Sequence, residues 1–132
     1  MDIVRTFGPL VGRILLALIF IISGFGKIMG FDATLGYIRS AGLPFAQLSA
    51  MAAIVVELGG GILLVLGWKA RWAAAALFVF VLVAALYFHA FWASPPDQAM
   101  MQQIQFMKNL AIMGGMLYVM AYGSGPYSVD KT

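Results

Sequence analysis

The sequence predicts an all-α fold, an integral membrane four-helix bundle forming one domain over residues 1–132. Three observations predict it. Hydrophobic residues make up 63% of the chain and charged residues 10%, against roughly 25% charged in ordinary soluble domains. Four long segments carry almost no charge, each near the ~20 residues that cross a hydrocarbon core at a rise of ~1.5 Å apiece. Charges and aromatic residues gather where those segments end, as at "GWKARW", whose two tryptophans suit interfacial anchoring.

Span one covers about 7–26 and contains Arg13 as its only charge. A cleaved signal peptide is the rival reading, since Arg5 and Arg13 precede the apolar run "ILLALIFII". The following "SGFGKIMGF" lacks the small-x-small cleavage pattern, and three spans would remain in either case. Next, "FDATLGYIRSAGLPF" is too polar to span. It predicts an ordered loop with a short amphipathic turn, in which Phe31, Leu35 and Ile38 lie on the membrane surface. Leu43-Pro44 breaks it and launches span two, about 45–67, whose single charge is Glu57.

Span three covers about 72–92 and closes at "FHAFW", carrying His89. The polar "DQAMMQQIQF" starts the last helix in water, before span four at about 106–123. Gly123 and "SGP" end it. Four spans place both termini on one side with the loop between spans two and three. Arg5, Lys69, Arg71 and Lys131 lie there with Arg13 nearby, whereas Lys27, Arg39 and Lys108 belong to the other side. The excess puts both termini in the cytoplasm.

The net charge of +3 forms no basic stripe beyond "WKARW", so no nucleic-acid partner is expected; the partner is the lipid bilayer. The absence of cysteine excludes disulfides, thiolate metal sites and iron–sulfur clusters within the chain. Thiol–disulfide chemistry would belong to a partner.

The buried charges are the functional signal. Helical rise from Arg13 puts Lys27 ~21 Å above it on the same face. Levelling the span ends puts Glu57 at ~6 Å, Lys108 at ~13 Å and His89 at ~18 Å. That arrangement predicts two levels: Glu57 facing Arg13, and Lys27, His89 and Lys108 grouped toward the outer end. A charge in mid-membrane costs anywhere from ~3 to more than 10 kcal/mol and so faces protein, water or a partner. The small residues Ala53, Gly60 and Gly61 share the face of Glu57, Ala17 and Gly24 that of Arg13, and Ala111 and Gly115 lie near Lys108. An Arg13–Glu57 pair can be a structural ion pair or part of a site that binds a ligand or moves protons; the second is the working expectation.

Other signals are weaker. One histidine without cysteine or a neighbouring acid makes a poor metal site, so no metal is expected. Met113, Met116 and Met120 form a helical stripe suited to adaptable packing. Ser23 has no base placed to activate it, and "GGG" at 59–61 follows no strand and carries no phosphate-loop lysine.

The blocks "GRILLALIFIISGFGKI", "AGLP", "ELGGGILLVLGWKARWAA", "FHAFW" and "KNLAIMGG" together resemble the DoxX family of small bacterial membrane proteins. The resemblance runs from about Gly12 to Gly115. The arginine, lysine and glutamate of the family pattern fall on Arg13, Lys27 and Glu57, and His89, Lys108 and Asn109 match a subset of it. The resemblance implies a four-helix bundle of the bacterial inner membrane and an association with quinone-linked or other oxidoreduction. On that reading the chain is a non-autonomous subunit with a redox protein partner, and a quinone is the cofactor to look for. The alternatives are a small transporter or binding protein for anionic solutes, working as a homo-oligomer, and an assembly scaffold.

Overall fold

The computed structural model describes residues 1–130, so Lys131, counted above among the charges on the terminal side, lies outside the described residues. Helix α1 (Asp2–Met29) is followed by α2 (Phe31–Ser40). Helix α3 (Ala46–Ile54) continues through a π-helical turn (Val55–Gly59) into α4 (Gly60–Leu66). Helix α5 (Ala70–Phe88), a short 3-10 turn (Phe91–Ala93) and α6 (Pro96–Tyr122) complete the order. Four stretches are long and apolar enough to cross a membrane: Asp2–Met29, Ala46–Leu66, Ala70–Ala93 and Pro96–Tyr122. No strand occurs among the described residues.

Small residues set how closely these helices approach. A Cβ on Gly60 would lie 2.9 Å from Leu77 Cγ, and one on Gly61 2.8 Å from Ile21 Cγ1. Thus α4 is clamped between α5 and α1 at distances only glycine allows. The core around these contacts is Ala17, Phe20, Leu64, Ala74, Leu77 and Met116, all buried. Met113 and Met116 pack there, as a flexible side chain filling an irregular gap does. Many large apolar side chains outside it are exposed, among them Leu15 and Leu86, as befits helices whose solvent is lipid.

The segment expected as a loop with one amphipathic turn is a full ten-residue helix, α2, with Ile38 buried beneath it. Its apolar positions recur at helical spacing, and packing against α3 stabilises a helix too short to persist alone. After α6, Gly123 turns the chain back under the bundle. Tyr127 stacks on Phe7 at 5.4 Å, and Val129 and Asp130 donate backbone hydrogen bonds to Leu66 and Gly67. Both ends of the described chain therefore lie at the same end of the bundle.

Candidate functional site

Arg13 does not meet Glu57. It is buried, and its guanidinium donates to four carbonyls: Leu64 at 2.8 Å and Val65 at 3.0 Å through Nη1, Pro126 at 3.2 Å and Tyr127 at 2.9 Å through Nη2. The last carbonyls of a helix lack intrahelical donors and carry the negative end of its dipole, so a cation there caps α4. The planar fork of arginine reaches two chain segments at once, which an ammonium cannot do as well. The expected pairing fails because span ends are not level. Helix α1 starts at Asp2 and overhangs α4, with the tail filling the space below, so Arg13 stands opposite Leu64–Gly67. Glu57 is seven residues farther along, about 10 Å higher by helical rise.

The partner of Glu57 is Lys27. Lys27 Nζ lies 2.6 Å from Glu57 Oε1 and donates to Ser23 Oγ at 2.7 Å. Gly24 permits this: a Cβ there would sit 2.8 Å from Leu58 Cγ and 3.3 Å from Glu57 Cβ, so α1 and the π turn touch backbone to backbone. Lys27, one turn beyond Ser23, then reaches over the carboxylate. The π turn holds one more residue per turn than an α-helix, and such bulges recur at functional sites. The glutamate side chain is 3% exposed and the lysine 25%. Lys27 does not by itself satisfy the carboxylate: beyond the ammonium, no donor among the described residues reaches Oε1. A carboxylate offers about four acceptor directions, and the ammonium occupies one.

This pair lines a cavity of about 810 Å³. Its walls are largely apolar, built from Phe20, Val56, Val79, Phe80 and Ile112 among others, with Lys27, Glu57, His89 and Asn109 all facing it. Helix α2 roofs it through Thr34, Tyr37 and Ile38, and Tyr37 stacks on Phe88 at 4.7 Å to tie that roof to the end of α5. His89 Nδ1 is 2.8 Å from Gln102 Oε1. With the amide oxygen turned to it, Nδ1 is placed to donate, and in the neutral ring Nε2 is then the acceptor.

Of the six candidates read from the sequence, four therefore share one cavity. Lys108 does not join them: it is exposed on α6 while its neighbour Asn109 turns inward. Successive residues on a helix differ by ~100°, so a cavity that takes Asn109 excludes Lys108. No cluster of metal-ligating side chains occurs among the described residues. Sequence reading missed Ser23 as a partner of Lys27, Gln102 as the partner of His89, and the α2 residues of the roof. The i, i+4 spacing of Ser23 and Lys27 was a usable signal; nothing local marks the other two.

The DoxX family model matches residues 8–90, a segment that carries Arg13, Lys27, Glu57 and His89. The chain is 39% identical to "Inner membrane protein YphA" of Escherichia coli (strain K12), over 92% of this chain and 87% of that protein. It is 38% identical to "Inner membrane protein YqjF" of the same organism, over 94% and 90%. A more distant similarity, 29% identity over 96% of this chain but 38% of the other, is to "Surfeit locus protein 4 homolog" of Schizosaccharomyces pombe. No solved structure matches.

Proposed function

The chain belongs to the DoxX family and is a multi-pass protein of the bacterial inner membrane, and we propose that it serves there as a membrane subunit in oxidoreduction, holding a quinone or kindred lipophilic redox molecule around Lys27 and Glu57. The observation that carries this reading is the form of the cavity: about 810 Å³ of largely apolar space with one ion pair set into its wall. Such pockets, some 300–1,000 Å³ with a few convergent polar groups, are the usual form of small-molecule sites.

The residues suit the ligand. A quinone supplies the two-electron, two-proton change, and the protein supplies position and protons. Lys27 has three donors, and Ser23 and Glu57 engage two of them. The third is available to a carbonyl oxygen, where a cation also favours developing negative charge. Glu57 holds or releases a proton beside it. His89, near the end of α5, exchanges protons through Nε2, and Asn109 orients the head with its amide. Without cysteine, the chain ligates no iron–sulfur cluster, so electrons reach the ligand from a redox partner protein.

Extraction of protein purified with its native lipids, followed by mass spectrometry, tests the reading. A quinone near one per chain, lost on Lys27→Met, is the expected result. Only bulk phospholipid, in wild type and variant alike, contradicts it.

A further inference from the structure

The polar groups of the cavity specify which ligand chemistry fits. Anions are disfavoured. Lys27 is neutralised by Glu57 at 2.6 Å, and the net charge of the pair is zero whichever partner holds the proton. Lys108, which would have added a second cation, is exposed on another face. What a carbonyl on the third Lys27 donor would leave unmet is an acceptor: Glu57 is nine-tenths buried and more and lines the cavity, Lys27 occupies its Oε1, and no hydrogen bond among the described residues reaches its Oε2. His89 lines the same cavity, and with Nδ1 engaged by Gln102 its neutral ring offers Nε2 as a second acceptor. A buried acceptor without a donor is costly, and a ligand that brings one gains what the protein forgoes.

The route in selects for lipophilicity. Gly60 holds α4 tight against Leu77 of α5, but above the π turn α3 stands off from α5. The residues flanking that gap, Ala52 on one side and Ala76, Val79 and Val83 on the other, both line the cavity and are exposed. The opposite, water-facing approach is roofed by α2 and the Tyr37–Phe88 stack. The opening therefore faces acyl chains.

We infer that the cavity takes a neutral, bilayer-dissolved amphiphile whose head donates a hydrogen bond to Glu57, and that among redox molecules it prefers the hydroxyl-bearing hydroquinone form to the quinone. This rests on the cavity being the functional site, and it goes further by naming the protonation and redox form that the site selects. A donor to an ionised acceptor makes one of the stronger hydrogen bonds, so the preference is about tenfold, or ~1.4 kcal/mol.

The test is a set of equilibrium affinities of four probes for the full chain in lipid nanodiscs: decylhydroquinone, its dimethyl ether, decylbenzoquinone and decanoate. Hydroquinone binding about tenfold tighter than quinone and ether, with decanoate weakest, is expected. In the charge-neutral double variant Lys27→Met/Glu57→Leu, the preference for hydroquinone over its ether should vanish. Equal affinities for quinone, ether and hydroquinone overturn the inference while leaving a quinone site standing. Tightest binding of decanoate overturns it in favour of an anion site. Failure of all four to bind overturns both the inference and the reading beneath it.

Discussion

Lys27 and Glu57 meet at 2.6 Å across the contact between α1 and the π turn, while Arg13, lower on α1, binds four carbonyls and no carboxylate. These two basic residues of α1 thus do different work. One closes the end of the bundle, and the other faces a cavity. Each division of labour predicts its own mutant behaviour.

Removing one member of the buried pair should harm the fold more than removing both. Loss of a single partner strands a charge and costs about 3–5 kcal/mol in fully buried cases, less here because Lys27 is partly exposed. Thermal unfolding in detergent should rank Lys27→Met/Glu57→Leu above either single variant. Glu57→Gln keeps the shape, so it should remain folded yet lose its preference for a hydroxyl donor. Normal ligand preference in Glu57→Gln argues against a role for its charge.

Arg13→Ala should release the tail. Residues 123–130 are held by Pro126 and Tyr127 accepting from Nη2, by the Phe7–Tyr127 stack, and by Lys69 N–H donating to Asp130. Limited proteolysis within this tail should accelerate, and stability should fall by a few kcal/mol, since charge-assisted bonds contribute ~1.5–3 kcal/mol each and act together here. Arg13→Lys should rescue only part of it, lacking the fork. Ligand binding should stay near wild type, because the cavity does not include Arg13.

Gly24→Ala and Gly26→Ala, two residues apart, should behave oppositely. A Cβ at Gly24 meets Leu58 Cγ at 2.8 Å and its backbone nitrogen at 3.2 Å, whereas one at Gly26 meets nothing within 4 Å. The first should lose ~1–3 kcal/mol and weaken ligand binding by pushing the π turn from Lys27. The second should be neutral or gain up to ~1 kcal/mol from helix propensity.

Neighbouring residues on α6 separate a lining role from a surface one. Asn109→Ala should weaken binding of a quinone analogue several-fold, and Lys108→Ala should leave it unchanged, with affinity in nanodiscs as the readout. Equal losses in both contradict the placement of Asn109 in the cavity.

The sequence carried the class of fold through hydropathy alone, because a bilayer demands long apolar helices. It also marked Lys27, Glu57 and His89, since titratable groups in apolar runs stand out, whereas Asn109 was marked only by the family resemblance. Their pairing was less legible. Matching Arg13 with Glu57 required knowing how far each helix overhangs its neighbour, and that is set by Gly24, Gly60 and Gly61 and by the tail beneath α4. The π turn was invisible for a related reason: one extra residue in a turn leaves no local signature beyond the adjacent glycines. The roof formed by α2 arises from packing between segments distant in sequence, such as Tyr37 on Phe88.

The most direct measurement is photolabelling with a lipophilic azidoquinone in native membranes, with labelled sites mapped by peptide mass spectrometry. Label concentrated on Val56, Phe80 and Ile112, displaced by excess decylhydroquinone and lost in Lys27→Met/Glu57→Leu, is the result predicted by a ligand site at the ion pair. Label spread over lipid-facing residues such as Leu15, Leu18 and Leu86, indifferent to competitor and to the double variant, would contradict it.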